Sequence, residues 1–306
     1  MNGLESAVEK LKSLNSKRVF IQYPEGLKTK IQSMSKEIES HGFETVTCVE
    51  PCFGACDIRD VEAERLGCDA LLHIGHSDYG VDSALPVVYW EYFMESDPVT
   101  VLEKEFKKLN GFDTVGLVTS IQFIGALENV KSYLEEKGKN VVIHKSLMHA
   151  GQILGCDLRA ATEIDEEVDC FLCITAGKFY GLGLAMDTDK PVLYLDLERG
   201  EISDLEDFKL KVQKRIVWNK SQMEDAEKVA ILVSWKRGQL KSPFELKKKL
   251  ESVGKEVYIF VMDQITPDKL LGLKVDAAVN MACPRIGMDD LEKYSIPIIN
   301  FKDVEL

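Results

Sequence analysis

The same succession of apolar blocks and turn residues runs three times along this chain. No other feature restricts its fold as strongly. In the first copy, residues 17–22 form a short apolar strand that meets Pro24, Glu25 and Gly26. A helical pattern follows to Ser40, Gly42 interrupts it, and residues 45–48 read as a second strand. The second copy has a strand at 113–118, the turn Gln122-Phe123-Ile124-Gly125, a helix, Gly138, and a strand at 141–143. The third has a strand at 229–233, the loop Ser234-Trp235-Lys236-Arg237-Gly238, a helix, Gly254, and a strand at 257–260. Each copy continues into a third apolar strand (70–74, 171–174, 277–280) and a fourth (86–89, 191–194, 296–299). Strands alternating with helices of this length predict parallel sheets with right-handed crossovers. The expected fold is therefore α/β. It has three pseudo-symmetric domains, 1–95, 96–212 and 213–306, each a small, mostly parallel four-stranded sheet flanked by helices. Strand order is not legible at this level. Ligands of open parallel sheets lie outside the carboxyl ends of the strands, so the loops there are where chemistry is expected.

Composition removes several function classes. The chain has 38 basic and 51 acidic residues, a net charge of −13, and such a surface repels phosphate backbones. Lys247-Lys248-Lys249 is the densest basic run, and it reads as the solvated face of a helix. No nucleic-acid partner is expected. No apolar run approaches the roughly 18 residues of a membrane span. The first residues read as an amphipathic helix carrying Glu5 and Glu9 and lack the basic start and apolar block of a signal peptide. A cytoplasmic location is expected.

Eight cysteines are many for a chain in a reducing compartment, where disulfides are disfavoured. Cys56 and Cys156 each open a Cys-Asp-(Ile/Leu)-Arg string, after the second strand of copies one and two. Cys283 follows the third strand of copy three. Each unit thus offers one cysteine at a strand's carboxyl end. Three thiolates meeting between the units could ligate three irons of a four-iron cluster and leave the fourth open. Three buried, inert thiols are the other reading, and spacing alone leaves both standing. Cys170 and Cys173 have C-x-x-C spacing, but inside a strand they point to opposite faces, which predicts core roles. Cys48, Cys52 and Cys56 only loosely resemble a radical-enzyme signature, and Cys68 reads as structural. The five histidines form no ligand pair at helical spacing, and His73 and His76 straddle a strand end. Zinc is the lesser expectation.

Taken in order, several short strings are specific together. They are residues 23–27 (Tyr-Pro-Glu-Gly-Leu), Gly54-Ala55-Cys56, Gly67-Cys68-Asp69-Ala70, His73-Ile74-Gly75-His76-Ser77, residues 151–156, and Ala282-Cys283-Pro284-Arg285-Ile286. With these the chain resembles, over essentially its whole length, the archaeal enzymes of the first step of diphthamide biosynthesis. The resemblance implies an atypical radical S-adenosylmethionine enzyme with a [4Fe-4S] cluster on Cys56, Cys156 and Cys283. It implies transfer of a 3-amino-3-carboxypropyl group to ring carbon C2 of one histidine in translation elongation factor 2. A homodimer and an electron donor are implied with it.

Such a co-substrate needs donors for its amino-carboxylate end. Lys236, Arg237 and Arg285 are the candidates, with Ser234 in the same loop as the first two. Gln122 and Phe123, and the glycine-rich loop containing Gly177 and Lys178, are candidates for the rest of the molecule. Two other functions remain in view. Quinolinate synthases also place one cluster cysteine on each of three α/β domains but use no S-adenosylmethionine. A cluster-bearing electron-delivery partner would need no catalysis of its own. The Gln-Ile-Leu-Gly-Cys and Ala-Cys-Pro-Arg-Ile strings favour the diphthamide family over the first, and retention of all three cysteines disfavours the second.

Overall fold

The computed structural model describes residues 3–288 and 291–304; the expected domain ranges also include 1–2, 289–290 and 305–306, which lie outside the described residues. Three separate sheets are present, one per repeat. The first contains β1 (Arg18–Gln22), β2 (Glu44–Thr47), β3 (Ala70–Ile74) and β4 (Val87–Trp90), in the order β2-β1-β3-β4 and all parallel. The second contains β5 (Thr114–Thr119), β6 (Asn140–Val142), β7 (Cys170–Thr175), β8 (Val192–Asp196) and β9 (Glu201–Asp204). Its order is β6-β5-β7-β8-β9. The third repeats the first with β10 (Lys228–Ser234), β11 (Glu256–Met262), β12 (Ala277–Asn280) and β13 (Ile298–Asn300), ordered β11-β10-β12-β13.

The expectation of four strands per unit fails in the second, where β9 adds an antiparallel edge to β8. The turn that returns the chain there hangs on Asp196. Its carboxylate accepts the N–H groups of Glu198 and Arg199 at 3.0 and 3.3 Å, while Gly200 supplies φ +66°.

A short device recurs in each unit and fixes the same register. Asp69, Asp169 and Asp276 directly precede the third strand of their sheets. Each carboxylate accepts two successive backbone N–H groups at the start of the central strand, from Lys17 and Arg18, Asp113 and Thr114, and Glu227 and Lys228. The resulting pairs, Val19 with Ala70, Val115 with Cys170 and Val229 with Ala277, are equivalent. A glycine at positive φ (Gly42, Gly138, Gly254) ends the helix before the second strand each time, where a Cβ would be strained.

Helices α1 (Gly3–Ser13), α2 (Ile31–Ser40) and α3 (Asp60–Arg65) belong to the first unit. The second carries α4 (Pro98–Glu105), α5 (Leu127–Glu136), α6 (Arg159–Thr162) and α7 (Phe179–Asp187). The 20-residue α8 (Glu206–Asp225) runs through the expected 212/213 boundary and packs on both α7 and β13. Its Asn219 amide donates to Ile298 O at 2.8 Å. α9 (Phe244–Ser252) and α10 (Pro267–Leu270) complete the third unit.

Because helices and loops cover both sides, the central strands β3 and β7 are buried along their whole length, as parallel strands require. Cys170 and Cys173 of β7 sit in two different cores on opposite faces of that sheet. Burial pushes each thiol up to about 12, so both are inert packing groups.

Candidate metal centre

The loops bearing Cys56, Cys156 and Cys283 follow β2, β6 and β12. The first two are held partly by residues of another unit, the third by residues of its own. Gln22, the last residue of β1, clamps the first loop by donating to Asp57 O and accepting the Arg59 N–H. The third unit then closes over it: Gly238 N donates to Cys56 O at 2.9 Å, and Gln239 Nε2 donates to Cys56 Sγ at 3.3 Å. A Cβ on Gly238 would lie 2.7 Å from Cys56 Cα, so the approach requires glycine.

The second loop turns at Gly151 (φ +75°). Gln152 reaches across to donate to Ser77 Oγ at 2.9 Å, and Cys156 Sγ lies 3.9 Å from Tyr79 Oη of the first unit. The third loop is built by asparagines. Asn280 donates to Cys283 O at 2.8 Å and to Asn300 Oδ1 at 2.7 Å, and Asn300 donates to Pro284 O.

These three thiols share one electrostatic neighbourhood. Burial pushes Cys283 up to about 11, and the charges of Cys156 and Cys56 push it the same way. Burial also raises Cys156, to which Cys56 contributes, and raises Cys56. Tyr79 is pushed to about 12 by burial and by Cys156 beside it. The thiols do not converge tightly enough for a single ion. Around one zinc, with Zn–S of about 2.3 Å, tetrahedral thiolates stand about 3.8 Å apart. Among the described residues, the three do not fall within 4.8 Å of one another. Three thiols, one from each unit and spread wider than the ligands of one ion, suit a cluster.

The expected co-substrate donors are placed differently from one another. Lys236 is 6% exposed; its Nζ bonds Asp57 Oδ2 and lies 3.5 Å from Asp263 Oδ1. Arg237 pairs with both oxygens of Asp60 at 2.9 and 2.7 Å, and Arg59 with Asp263 at 2.6 Å. Ser234 Oγ donates to Asp263 O. These residues form an ionic seam between the first and third units. Arg285 crosses from the third unit to the second, its guanidinium 4.0 Å from the Phe179 ring centroid and donating to Phe179 O at 2.5 Å. Gly183 leaves the room, since a Cβ there would lie 2.4 Å from Arg285 Nη1. Gln122 Nε2 donates to Gly75 O at 2.9 Å, and Phe123 is buried beside it. Gly177 and the exposed Lys178 form the open loop after β7, with Lys178 Nζ 3.2 Å from the Phe208 ring centroid.

Sequence reasoning missed the acids that occupy these cations, because Asp57 and Asp60 lie far from Lys236 and Arg237 in the chain. The Cys-Asp-(Ile/Leu)-Arg string was the available signal. In the first unit its Arg59 turns across the seam to Asp263, whereas in the second Arg159 folds back on Asp157. Also missed was a compact group behind the Cys56 loop. His73 Nε2 lies 3.6 Å from Cys52 Sγ and 2.9 Å from His76 Nδ1, and His73 Nδ1 has no hydrogen-bond partner.

No helix among the described residues is long and apolar enough to cross a membrane. A profile of the diphthamide synthesis protein family matches residues 23–306. The 2-(3-amino-3-carboxypropyl)histidine synthase of Pyrococcus horikoshii is 33% identical over 98% of this chain and 88% of its own length. That of Methanocaldococcus jannaschii is 27% identical over 99% and 88%. A crystal structure of Dph2 from Pyrococcus horikoshii with a 4Fe-4S cluster superposes with a TM-score of 0.87 at 32% identity, covering 98% of this chain and 88% of that one. The α/β fold of three sheets and the family expected from the short strings are therefore both found, and this chain belongs to the diphthamide synthesis protein family.

Proposed function

We propose that this chain is a 2-(3-amino-3-carboxypropyl)histidine synthase. It would move the 3-amino-3-carboxypropyl group of S-adenosylmethionine to C2 of one histidine of translation elongation factor 2, the first step of diphthamide biosynthesis. The observation that carries this reading is one cysteine in each unit, in the loop after β2, β6 and β12, with the sulfurs of Cys56 and Cys156 each contacted from a neighbouring unit, by Gln239 and by Tyr79. These three residues would hold the [4Fe-4S] cluster. The chemistry the group supplies when bound is one-electron reduction of a sulfonium, opening its bond to the methionine γ-carbon. An imidazole C–H carbon is a poor nucleophile, so a carbon radical gives a route that acid–base catalysis does not. An external electron donor is required.

The chain's own residues position and shield. Gln239 donates to the Cys56 sulfur, which favours its thiolate. Lys236, Arg237, Arg285 and Gln122 have polar groups engaged between units and would act by fixing the loops against one another, while Ser234, bonded within the third unit, and the buried Phe123 would support them. Gly177 and Lys178, in the open loop at the carboxyl end of β7, are the candidates for direct contact with the amino-carboxylate end. Two copies would pair. The edge strand β11, with exposed Tyr258 and Val261, supports such pairing, because an unpaired edge of this kind is a template for another chain.

The test is anaerobic. The chain is loaded with iron and sulfide, reduced, and mixed with S-adenosylmethionine and an archaeal elongation factor 2, which is then weighed intact. The expected result is a gain of one 3-amino-3-carboxypropyl group, lost in Cys156→Ala. An unchanged mass with a fully loaded cluster would overturn the reading and favour the quinolinate-synthase-like or electron-delivery roles.

A further inference from the structure

Behind the Cys56 loop, the first unit brings a sulfur and two ring nitrogens to one point. His73 closes β3 one residue before its end, and Gly75 at φ +86° folds the chain sharply enough for His76 to come back over it. A side chain at Gly75 would put a Cβ 2.9 Å from Pro24 Cγ, so the turn is closed to other residues. Cys52, from the loop after β2, approaches from the other side. Cys52 Sγ, His73 Nε2 and His76 Nδ1 lie within 4.8 Å of one another, and they are the group of three metal-competent side chains this close among the described residues.

Hydrogen bonding alone accounts poorly for this arrangement. His73 Nε2 faces both the sulfur and the His76 nitrogen, but it can carry only one proton. Its Nδ1 is buried without a partner, so either tautomer leaves one ring nitrogen unmatched. Such an orphan costs about 1–3 kcal/mol, which an apolar residue at this position would avoid. One edge already has the spacing of coordination. With M–S of about 2.3 Å and M–N of about 2.0–2.1 Å, the S···N edge of a tetrahedral site is about 3.6 Å, the separation of Cys52 Sγ and His73 Nε2. The N···N edge would be about 3.3 Å, so an ion would replace the 2.9 Å His73–His76 contact and move the less buried His76 ring outward by a few tenths of an ångström.

We propose that Cys52, His73 and His76 bind a single borderline divalent transition ion, zinc being the best match, at a site distinct from the three-cysteine centre. Two neutral imidazoles and a thiolate are a donor set for zinc, whereas magnesium and calcium take oxygen ligands. The imidazoles are already neutral: burial holds His73 well below its ordinary range and lowers His76 to about 4. Cys52, pushed by burial up to about 12, is a thiol without metal, so binding releases its proton to solvent. The half-buried His76 marks the side on which a fourth ligand, a water, completes the coordination.

The proposal stands apart from the transferase reading, because its readouts are metal counts and spectra rather than turnover. The full chain, loaded with its cluster without oxygen, is exposed to Zn²⁺ alone, desalted, and assayed for zinc and iron together. About one zinc per chain is expected in the unmodified protein and in Cys156→Ala, and on the order of a hundredfold weaker zinc retention in His76→Ala and Cys52→Ser. Cobalt in place of zinc gives a tetrahedral spectrum with a thiolate-to-metal charge-transfer band, a readout on the unmodified chain that needs no variant to fold. The proposal is overturned by absent zinc, by equal retention in both variants, by zinc lost with the cluster in Cys156→Ala, or by a cobalt spectrum without a thiolate band.

Discussion

Two seams meet at the cysteine centre, and they are made of different materials. The one between the first and third units is ionic: Lys236 lies between Asp57 and Asp263, Arg59 reaches Asp263, and Arg237 grips Asp60. The one between the second and third units rests on the buried guanidinium of Arg285 against the Phe179 ring and its carbonyl, with an exposed Lys302–Asp187 pair at its margin. Each ties a cysteine-bearing loop to a neighbouring unit, the Cys56 loop to the third and the Cys283 loop to the second. A buried ion pair adds little net stability, yet it penalises every arrangement that leaves one charge alone. The ionic seam therefore specifies where the Cys56 loop goes, whereas the aromatic seam contributes packing and tolerates more.

The sharpest way to break this contrast is Lys236→Met. It leaves the buried Asp57 without its nearest cation, while the half-buried Asp263 keeps Arg59, and should cost about 3–5 kcal/mol in urea unfolding, most of it regained in the Asp57→Asn/Lys236→Met double variant. Arg285→Ala should cost about 2 kcal/mol, the worth of a desolvated cation over an aromatic ring, and Arg285→Lys should recover little of it because the planar fork is lost. Gly238→Ala, which drives a methyl into the Cys56 backbone, should cost about 1–3 kcal/mol, and should speed iron loss under a chelator more than Arg285→Ala does. Acid should separate the seams. Burial pushes Asp60 and Asp263 upward, but the Ala84 N–H, Arg237, Arg59 and Lys236 hold both below the ordinary carboxylate range. Their stabilisation is complete above that ordinary value, about 3.9, and is lost as pH falls through their lower folded values. Asp57 runs the other way, burial holding it above the ordinary range, so it adds nothing to the acid loss. The contact of Arg285 with Phe179 involves no carboxylate, only a ring and a carbonyl. Unfolding followed from pH 6 to pH 3 should thus weaken the contacts of the first unit with the third before those of the second. Lys302→Ala, in an exposed pair, should change stability by about 0.5 kcal/mol or less.

What could be read from the sequence was what each unit does by itself. The strands, the breaking glycines and the three cysteine loops are local patterns, and they recur because the units repeat. The order of strands, the antiparallel β9 and the passage of α8 across two units depend on packing partners that no local pattern names. The cations show the limit clearly. Lys236 and Arg237 read as anion donors because nothing near them in the chain is acidic, yet each meets its carboxylate from the first unit. The Cys52, His73 and His76 group was hidden for a related reason. Its members share a unit, but a loop and a strand end bring them together without the regular spacing that marks a motif.

Taking the three cysteines from three separate units sets an order of events during synthesis. Units of this size fold as they emerge, at about 5–20 residues per second. A ribosome that has released Cys56 needs on the order of ten seconds or more to release Cys283. Until then the first two thiols wait in folded units with no third partner, open to oxidation and to stray metal. With the proposed ligands, iron and sulfide could be seated only on a chain whose last sheet has formed, so a loaded centre would certify that all three units were finished and docked.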